Sequence, residues 1–257
     1  MNVIIDTVLL RPYVFGFMLA FVIAGIGDLG WRRTLRFAAW VLALAWVAEF
    51  TSTRIGVPFG LYHYTGTTQG RELYLANVPL MDPLSFTFLA YAAFCLARLV
   101  LIGRDVSRIT VAIVAGLLMM LLDVVMDPVA VRGDRWFLGH IFYYPEGGVY
   151  FGVPLSNFVG WWIVGLLGVG GYLFLDGRGS GAAGRGRRPG PGVALYYGVL
   201  AFNLVVTVWI GEWVLAGTGL ALHGIVALTA MGVPRAVWAP RAMLTDVADG
   251  AVEAPSD

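Results

Sequence analysis

Seven apolar runs, each near the roughly 20 residues that cross a bilayer, alternate with short polar links along this chain. They can be drawn at residues 13–30, 34–50, 80–102, 109–127, 154–175, 193–215 and 219–238. The last is weakened by glycines and by Pro234. The pattern predicts an all-α polytopic membrane helix bundle of about seven transmembrane helices. Two of the polar links match each other. Gly60-Leu61-Tyr62-His63-Tyr64 leads to Val78-Pro79-Leu80, and Gly139 through Tyr143-Tyr144 leads to Val153-Pro154-Leu155. Each joins two apolar runs and brings carboxyls, tyrosines and an amide to the apolar boundary, where charge is costly and tends to serve function. The two helix–loop–helix units run in the same direction, so a repeat would have its axis along the membrane normal.

Composition agrees with a membrane protein. Hydrophobic residues make up 59% and charged residues 13% of the chain, and mean hydropathy is +0.78, outside soluble globular usage. A net charge of +1 gives no sign of nucleic-acid binding. The single Cys95 lies in an apolar run, so no disulfide framework is possible. The first residues lack a basic region and a small-residue cleavage site, so the first run reads as a retained helix. All 17 basic residues are Arg, and they favour alternate links. Arg32, Arg33 and Arg36, then Arg104 and Arg108, then Arg178, Arg185, Arg187 and Arg188, and finally Arg235 and Arg241 mark one side. The positive-inside rule puts these links and the C-terminus in the cytoplasm and the N-terminus outside. Both matching loops then face away from the cytoplasm, and the chain is expected as a multi-pass protein of the plasma membrane. Residues 1–241 read as one transmembrane domain, with a flexible cytoplasmic linker at 177–192. Residues 242–257 read as a disordered acidic tail.

The polar residues gather at one depth. At ~1.5 Å per residue from the cytoplasmic end, Glu49 lies roughly 22 Å up the second helix, and Asp123 and Asp127 about 21 and 27 Å up the fourth. Asp82 and Asn157 sit just inside the outer ends of the third and fifth helices, and Glu212 near that of the sixth. An ordinary structural reading would pair these acids with Arg54, Arg71, Arg132 and Arg135 or cap helix ends with them. A shared site reads them as one constellation. Asp28 differs, lying near the cytoplasmic end, where Arg32 at i+4 is its expected partner. Three histidines with no HxxH cluster exclude a membrane di-iron oxygenase, and the absence of Lys excludes a retinal Schiff base. His63 and His140 are either an interfacial pair or a metal or proton-relay pair. What remains is acid chemistry on an apolar substrate entering from lipid. A carboxylic acid in low dielectric keeps its proton and can protonate an electron-rich double bond, while aromatic faces and a second carboxylate steady the cation.

At these residues the chain resembles a known family. Leu122-Asp123 to Asp127-Pro128, then Trp136, then Gly148-Val149-Tyr150-Phe151-Gly152-Val153-Pro154-Leu155-Ser156-Asn157-Phe158-Val159-Gly160-Trp161 is similar to the signature of the carotenoid biosynthesis membrane proteins that include the CruF-type hydratases. Glu49, Phe59 to Thr65 and Val78-Pro79-Leu80 resemble that family's first motif. The resemblance implies addition of water across the terminal 1,2 double bond of an acyclic carotenoid ψ-end, giving a tertiary alcohol with no cofactor and no metal. Residue roles rest on the depth argument. Asp127 or Glu49 is the expected proton donor, and Asp123 and Asp82 are expected to hold water or stabilise the cation. Tyr62, Tyr64, Trp136, Tyr150, Asn157 and Trp161 are expected to line the end-group pocket. Expected partners are the carotenoid, membrane lipid and other carotenoid biosynthesis enzymes. Two rival readings stay open: another acid-catalysed isoprenoid enzyme, such as a cyclase or isomerase, and a carotenoid-binding or transport protein.

Overall fold

A computed structural model describes residues 2–176 and 189–231. Among them, seven helices are long and apolar enough to cross a membrane. They are α2 (Pro12–Leu29), α3 (Trp31–Ile55), α4 (Met81–Val100), α5 (Arg108–Ala130), α6 (Leu155–Leu175), α7 (Gly190–Trp209) and α8 (Trp213–Met231). A short helix that the apolar pattern did not predict, α1 (Val3–Leu10), precedes them. Asn2 starts it by accepting a 3.1 Å hydrogen bond from the Ile4 N–H. The expected linker is described only from residue 189, with α7 already begun at Gly190, and the expected tail lies outside the described residues.

Every residue of α4 from Phe86 to Leu99 is buried. A helix apolar all round belongs inside a bundle, and α2, α3, α5, α6 and α7 pack around this one. Helices α5 and α6 approach closely where glycines face each other. A Cβ built on Gly165 would lie 2.8 Å from Gly116 Cα, and one on Gly116 would lie 2.7 Å from the Trp162 carbonyl oxygen. Small residues at a crossing let backbones meet where water cannot drive association.

Hydropathy misplaced the boundary between the sixth and seventh runs. The sixth run was expected to continue to residue 215, but α7 ends at Trp209 and α8 begins at Trp213. Gly211, at φ +79°, turns the chain between them, and apolar residues on both sides hid that turn. Glu212 sits in that turn, just past the end of α7 as expected and directly before α8. Asp28 is also corrected. Its partner is Arg98 of α4 at 2.5 Å, with the Tyr91 hydroxyl 3.4 Å away. Both charges are buried, and buried charges need a matched partner.

The two matching links meet. Their strands β1 (His63–Tyr64) and β4 (Phe142–Tyr143) pair antiparallel, His63 opposite Tyr143 and Tyr64 opposite Phe142. A second hairpin joins β2 (Tyr74–Leu75) to β3 (Val78–Pro79) just before α4. An analogous turn precedes α6, where Tyr150 and Val153 exchange backbone hydrogen bonds of 3.2 and 2.9 Å across Phe151 and Gly152. Both central residues have positive φ, +50° and +89°, as a tight hairpin of right-handed twist requires. The start of the chain is tied to both links. Arg11, fully buried, pairs with buried Glu72 at 3.2 Å and donates to the Leu138 carbonyl at 2.8 Å. The Leu73 N–H donates to Thr7 Oγ1 at 2.9 Å.

Candidate functional site

Four helices deliver a carboxyl or an amide to the end of the bundle that carries the strands. Glu49 sits near the end of α3, Asp82 in the first turn of α4, Asp123 and Asp127 late in α5, and Asn157 in the first turn of α6. The i, i+4 spacing puts Asp123 and Asp127 on one face, and one side chain answers both. Asn157 Nδ2 donates to Asp123 Oδ2 and to Asp127 Oδ2, each at 2.7 Å. Glu49 and Asp82 are bridged in the same manner by Tyr64 of β1. Its hydroxyl lies 3.0 Å from Glu49 Oε2 and 2.6 Å from Asp82 Oδ2. Tyr62 Oη is 3.4 Å from Tyr64 Oη.

These two carboxyl pairs stand around one cavity. Its wall includes Glu49, Asp82, Asp127, Asn157, Tyr62, Tyr64, Trp136 and Trp161, eight of the ten residues singled out from sequence. Trp161 stacks on Phe86 at 4.2 Å, and Tyr62 packs against Tyr64 and Tyr144. The remaining two do not line it. Asp123 is fully buried behind Asn157. Tyr150 packs edge-on against Phe151 and Phe158, and its buried hydroxyl meets no hydrogen-bond partner among the described residues.

The ordinary reading, in which arginines neutralise the acids, holds for Glu212 alone among the acids grouped by depth. Arg132 and Arg135 both bond its carboxyl. Burial opposes ionisation there, but the hydrogen bonds from Arg135 and Arg132 hold Glu212 below the usual carboxylate range. Among the described residues, no arginine lies within 4.0 Å of Glu49, Asp82, Asp123 or Asp127. Tyr64 and Tyr144 remain neutral phenols. Burial first, then the neighbouring carboxyls, pushes both hydroxyls well above the usual tyrosine range. His63 and His140 are exposed, each ring lying against Tyr143.

Sequence reasoning missed the far wall of the cavity. Tyr13, Val14 and Phe17 of α2 and Val199, Phe202 and Asn203 of α7 complete it, with Tyr13 stacked on Phe202 at 5.1 Å. Asn203, an amide in the middle of an apolar run, was the available signal. The aromatic residues around it look like any lipid-facing stripe.

The sequence model described as carotenoid biosynthesis protein matches residues 10–226, which span both motifs and all seven long helices up to the last turn of α8. The chain is 32% identical over 149 residues to the bisanhydrobacterioruberin hydratase of Haloarcula japonica. That match covers 58% of this chain and 47% of the relative, so the chain spans about half the length of the curated protein it matches. No solved structure matches the chain. The length of the family match and the motifs gathered at the cavity lead to one conclusion: this protein belongs to the carotenoid biosynthesis protein family.

Proposed function

We propose that the protein is a carotenoid hydratase, adding water across the terminal 1,2 double bond of an acyclic ψ-end. The observation that carries this reading is the pair of carboxyl couples, ion-paired to no arginine among the described residues, around an aromatic-lined cavity at one end of a membrane bundle. In the reaction, a carboxylic acid gives its proton to C2, and the π electrons form the new C–H bond. A tertiary cation remains at C1. The conjugate carboxylate and the faces of Trp161 and the tyrosines steady it. Water adds its oxygen to C1, and a second carboxylate takes the released proton. Carbon, oxygen and charge balance without an electron donor, so the proposal invokes no cofactor.

The hydratase name of the Haloarcula relative supports the same reaction class. The topology proposed with it has the strand-bearing end outside the cytoplasm and the bundle in the plasma membrane. Carotenoid reaches the cavity from lipid, and other enzymes of carotenoid synthesis are the expected suppliers. The experiment is expression in cells that accumulate lycopene or other ψ-end carotenoids, with pigments resolved by mass. A product heavier by one water per reacted end supports the reading. Unchanged mass with altered absorption would select a cyclase or isomerase, and unmodified pigment co-purifying with the protein would select a binding role.

A further inference from the structure

We infer that Glu49 is the proton-bearing acid of the site and that Tyr64 is its positioning residue, holding one proton in a Glu49–Tyr64–Asp82 chain while Asp127 faces the water. This rests on the hydratase reading for its catalytic meaning, but the proton itself follows from counting donors.

A phenol hydroxyl has one hydrogen and can donate once. Tyr64 Oη nevertheless lies within hydrogen-bond distance of two carboxyl oxygens, Glu49 Oε2 and Asp82 Oδ2. Ionised carboxyls only accept. Both contacts are satisfied only when one carboxyl carries a hydrogen and donates it to the tyrosine oxygen. The alternative leaves two like charges against one lone pair in a buried site where, among the described residues, no arginine comes within 4.0 Å of either, an arrangement that is costly. The two distances say which carboxyl is which. At 2.6 Å, the contact to Asp82 falls in the range of an O–H···O⁻ bond to an ionised acceptor. At 3.0 Å, the contact to Glu49 is at the long end for neutral O–H···O partners. Tyr64 therefore donates to an Asp82 carboxylate and accepts from a Glu49 carboxylic acid.

The second couple is built differently. Asn157 has two N–H hydrogens and spends one on each aspartate, and the two carboxyls also hydrogen-bond each other, so this couple holds one proton between its members. Of these two, Asp127 lines the cavity and Asp123 does not. Glu49 thus presents the proton of its couple to the cavity, while Asp123 keeps that of the second away from it and leaves Asp127 as the open acceptor. In a turnover, Glu49 loses its proton to C2 and Tyr64 keeps its own. Asp82 stays charged near the cation, and Asp127 takes the proton of the added water. The proton returns to Glu49 through solvent before the next cycle.

The test is infrared spectroscopy of the purified, detergent-solubilised protein in H₂O and D₂O, reading the C=O stretch of protonated carboxyls as wild-type-minus-variant differences. The component assigned to the chain is expected to disappear in Glu49→Gln. It should also disappear in Asp82→Asn, whose amide can donate to Tyr64 Oη and so removes the need for a proton. In Tyr64→Phe the component should move or vanish, with kcat down at least about 100-fold, the scale of general-acid catalysis, and KM within about threefold. In Asp127→Asn it should persist although hydration is lost. An unchanged band in both Tyr64→Phe and Asp82→Asn overturns the shared proton, whatever the activity. A band that behaves as expected in a protein that hydrates no ψ-end carotenoid keeps the proton chain and rejects the hydratase reading.

Discussion

Glu49 and Asp127 share the cavity but keep different company, and that difference decides what each substitution should do. Glu49→Gln keeps the volume of the side chain and removes its acidity. Product should fall by at least about 100-fold, while membrane abundance stays at the wild-type level. Asp127→Asn should lose a comparable factor, because an amide cannot accept the proton of water. Pigment mass analysis, normalised to immunoblotted protein, checks both, and full activity in the pair would remove the acid assignment. Asn157 has a structural burden as well. Replacing it with Leu strips the hydrogen bonds from two buried aspartates at once. Each orphaned carboxyl costs about 1–3 kcal/mol or more, so Asn157→Leu is expected to lower the thermal midpoint as well as the activity. A midpoint within a degree of the wild type would mean that the aspartates find other partners.

Helix contacts explain which parts of the molecule the sequence disclosed. Composition and run length marked the seven spans, since lipid demands apolar length and an internally satisfied backbone. The acids on α3, α4 and α5 and the amide on α6 were legible because a polar side chain stands out against an apolar run. The turn at Gly211 was not, because its neighbours are as apolar as the helices on either side. Nor was the Arg11–Glu72 pair, which joins residues 61 positions apart with no periodicity to link them. That pair now yields a prediction. Arg11→Met leaves Glu72 buried and uncompensated, at a cost of about 3–5 kcal/mol. Adding Glu72→Leu should recover most of the lost midpoint, because an apolar pair of similar volume needs no matching charge. Failure of the double variant to recover would place the role of Arg11 in its bond to the Leu138 carbonyl. At the α5–α6 crossing, Gly165→Leu forces a side chain against the Gly116 backbone. It should cost about 1–3 kcal/mol as overpacking, with loss of activity, since this crossing sets Asp123 and Asp127 opposite Asn157.

At the scale of the whole molecule, every group assigned to the chemistry lies at the end where β1 pairs with β4, and the question is which side of the membrane that end faces. The opposite end carries Arg32, Arg33 and Arg36 in the first turns of α3, Arg104 in the link after α4 and Arg108 at the start of α5. Most arginines at the strand end serve other needs. Arg11 is buried with Glu72, Arg132 and Arg135 are bonded to Glu212, and Arg54 donates to Asn77 Oδ1 at 2.8 Å. Because orientation follows the Lys and Arg of short links, the strand end is expected outside the cytoplasm. The native thiol helps the test, for Cys95 is fully buried beside Asp28 and should react little with a charged reagent. Cysteines introduced at exposed positions, by Thr67→Cys and Glu146→Cys at the strand end and Arg104→Cys at the other, then report the side directly. On intact cells, a membrane-impermeant maleimide should label the first two and leave the third until the cells are opened. The reverse pattern would invert the topology and place the proton supply of the carboxyl couples on the cytoplasmic side. The couples themselves would be unchanged, since their geometry depends on the bundle and not on the membrane's polarity.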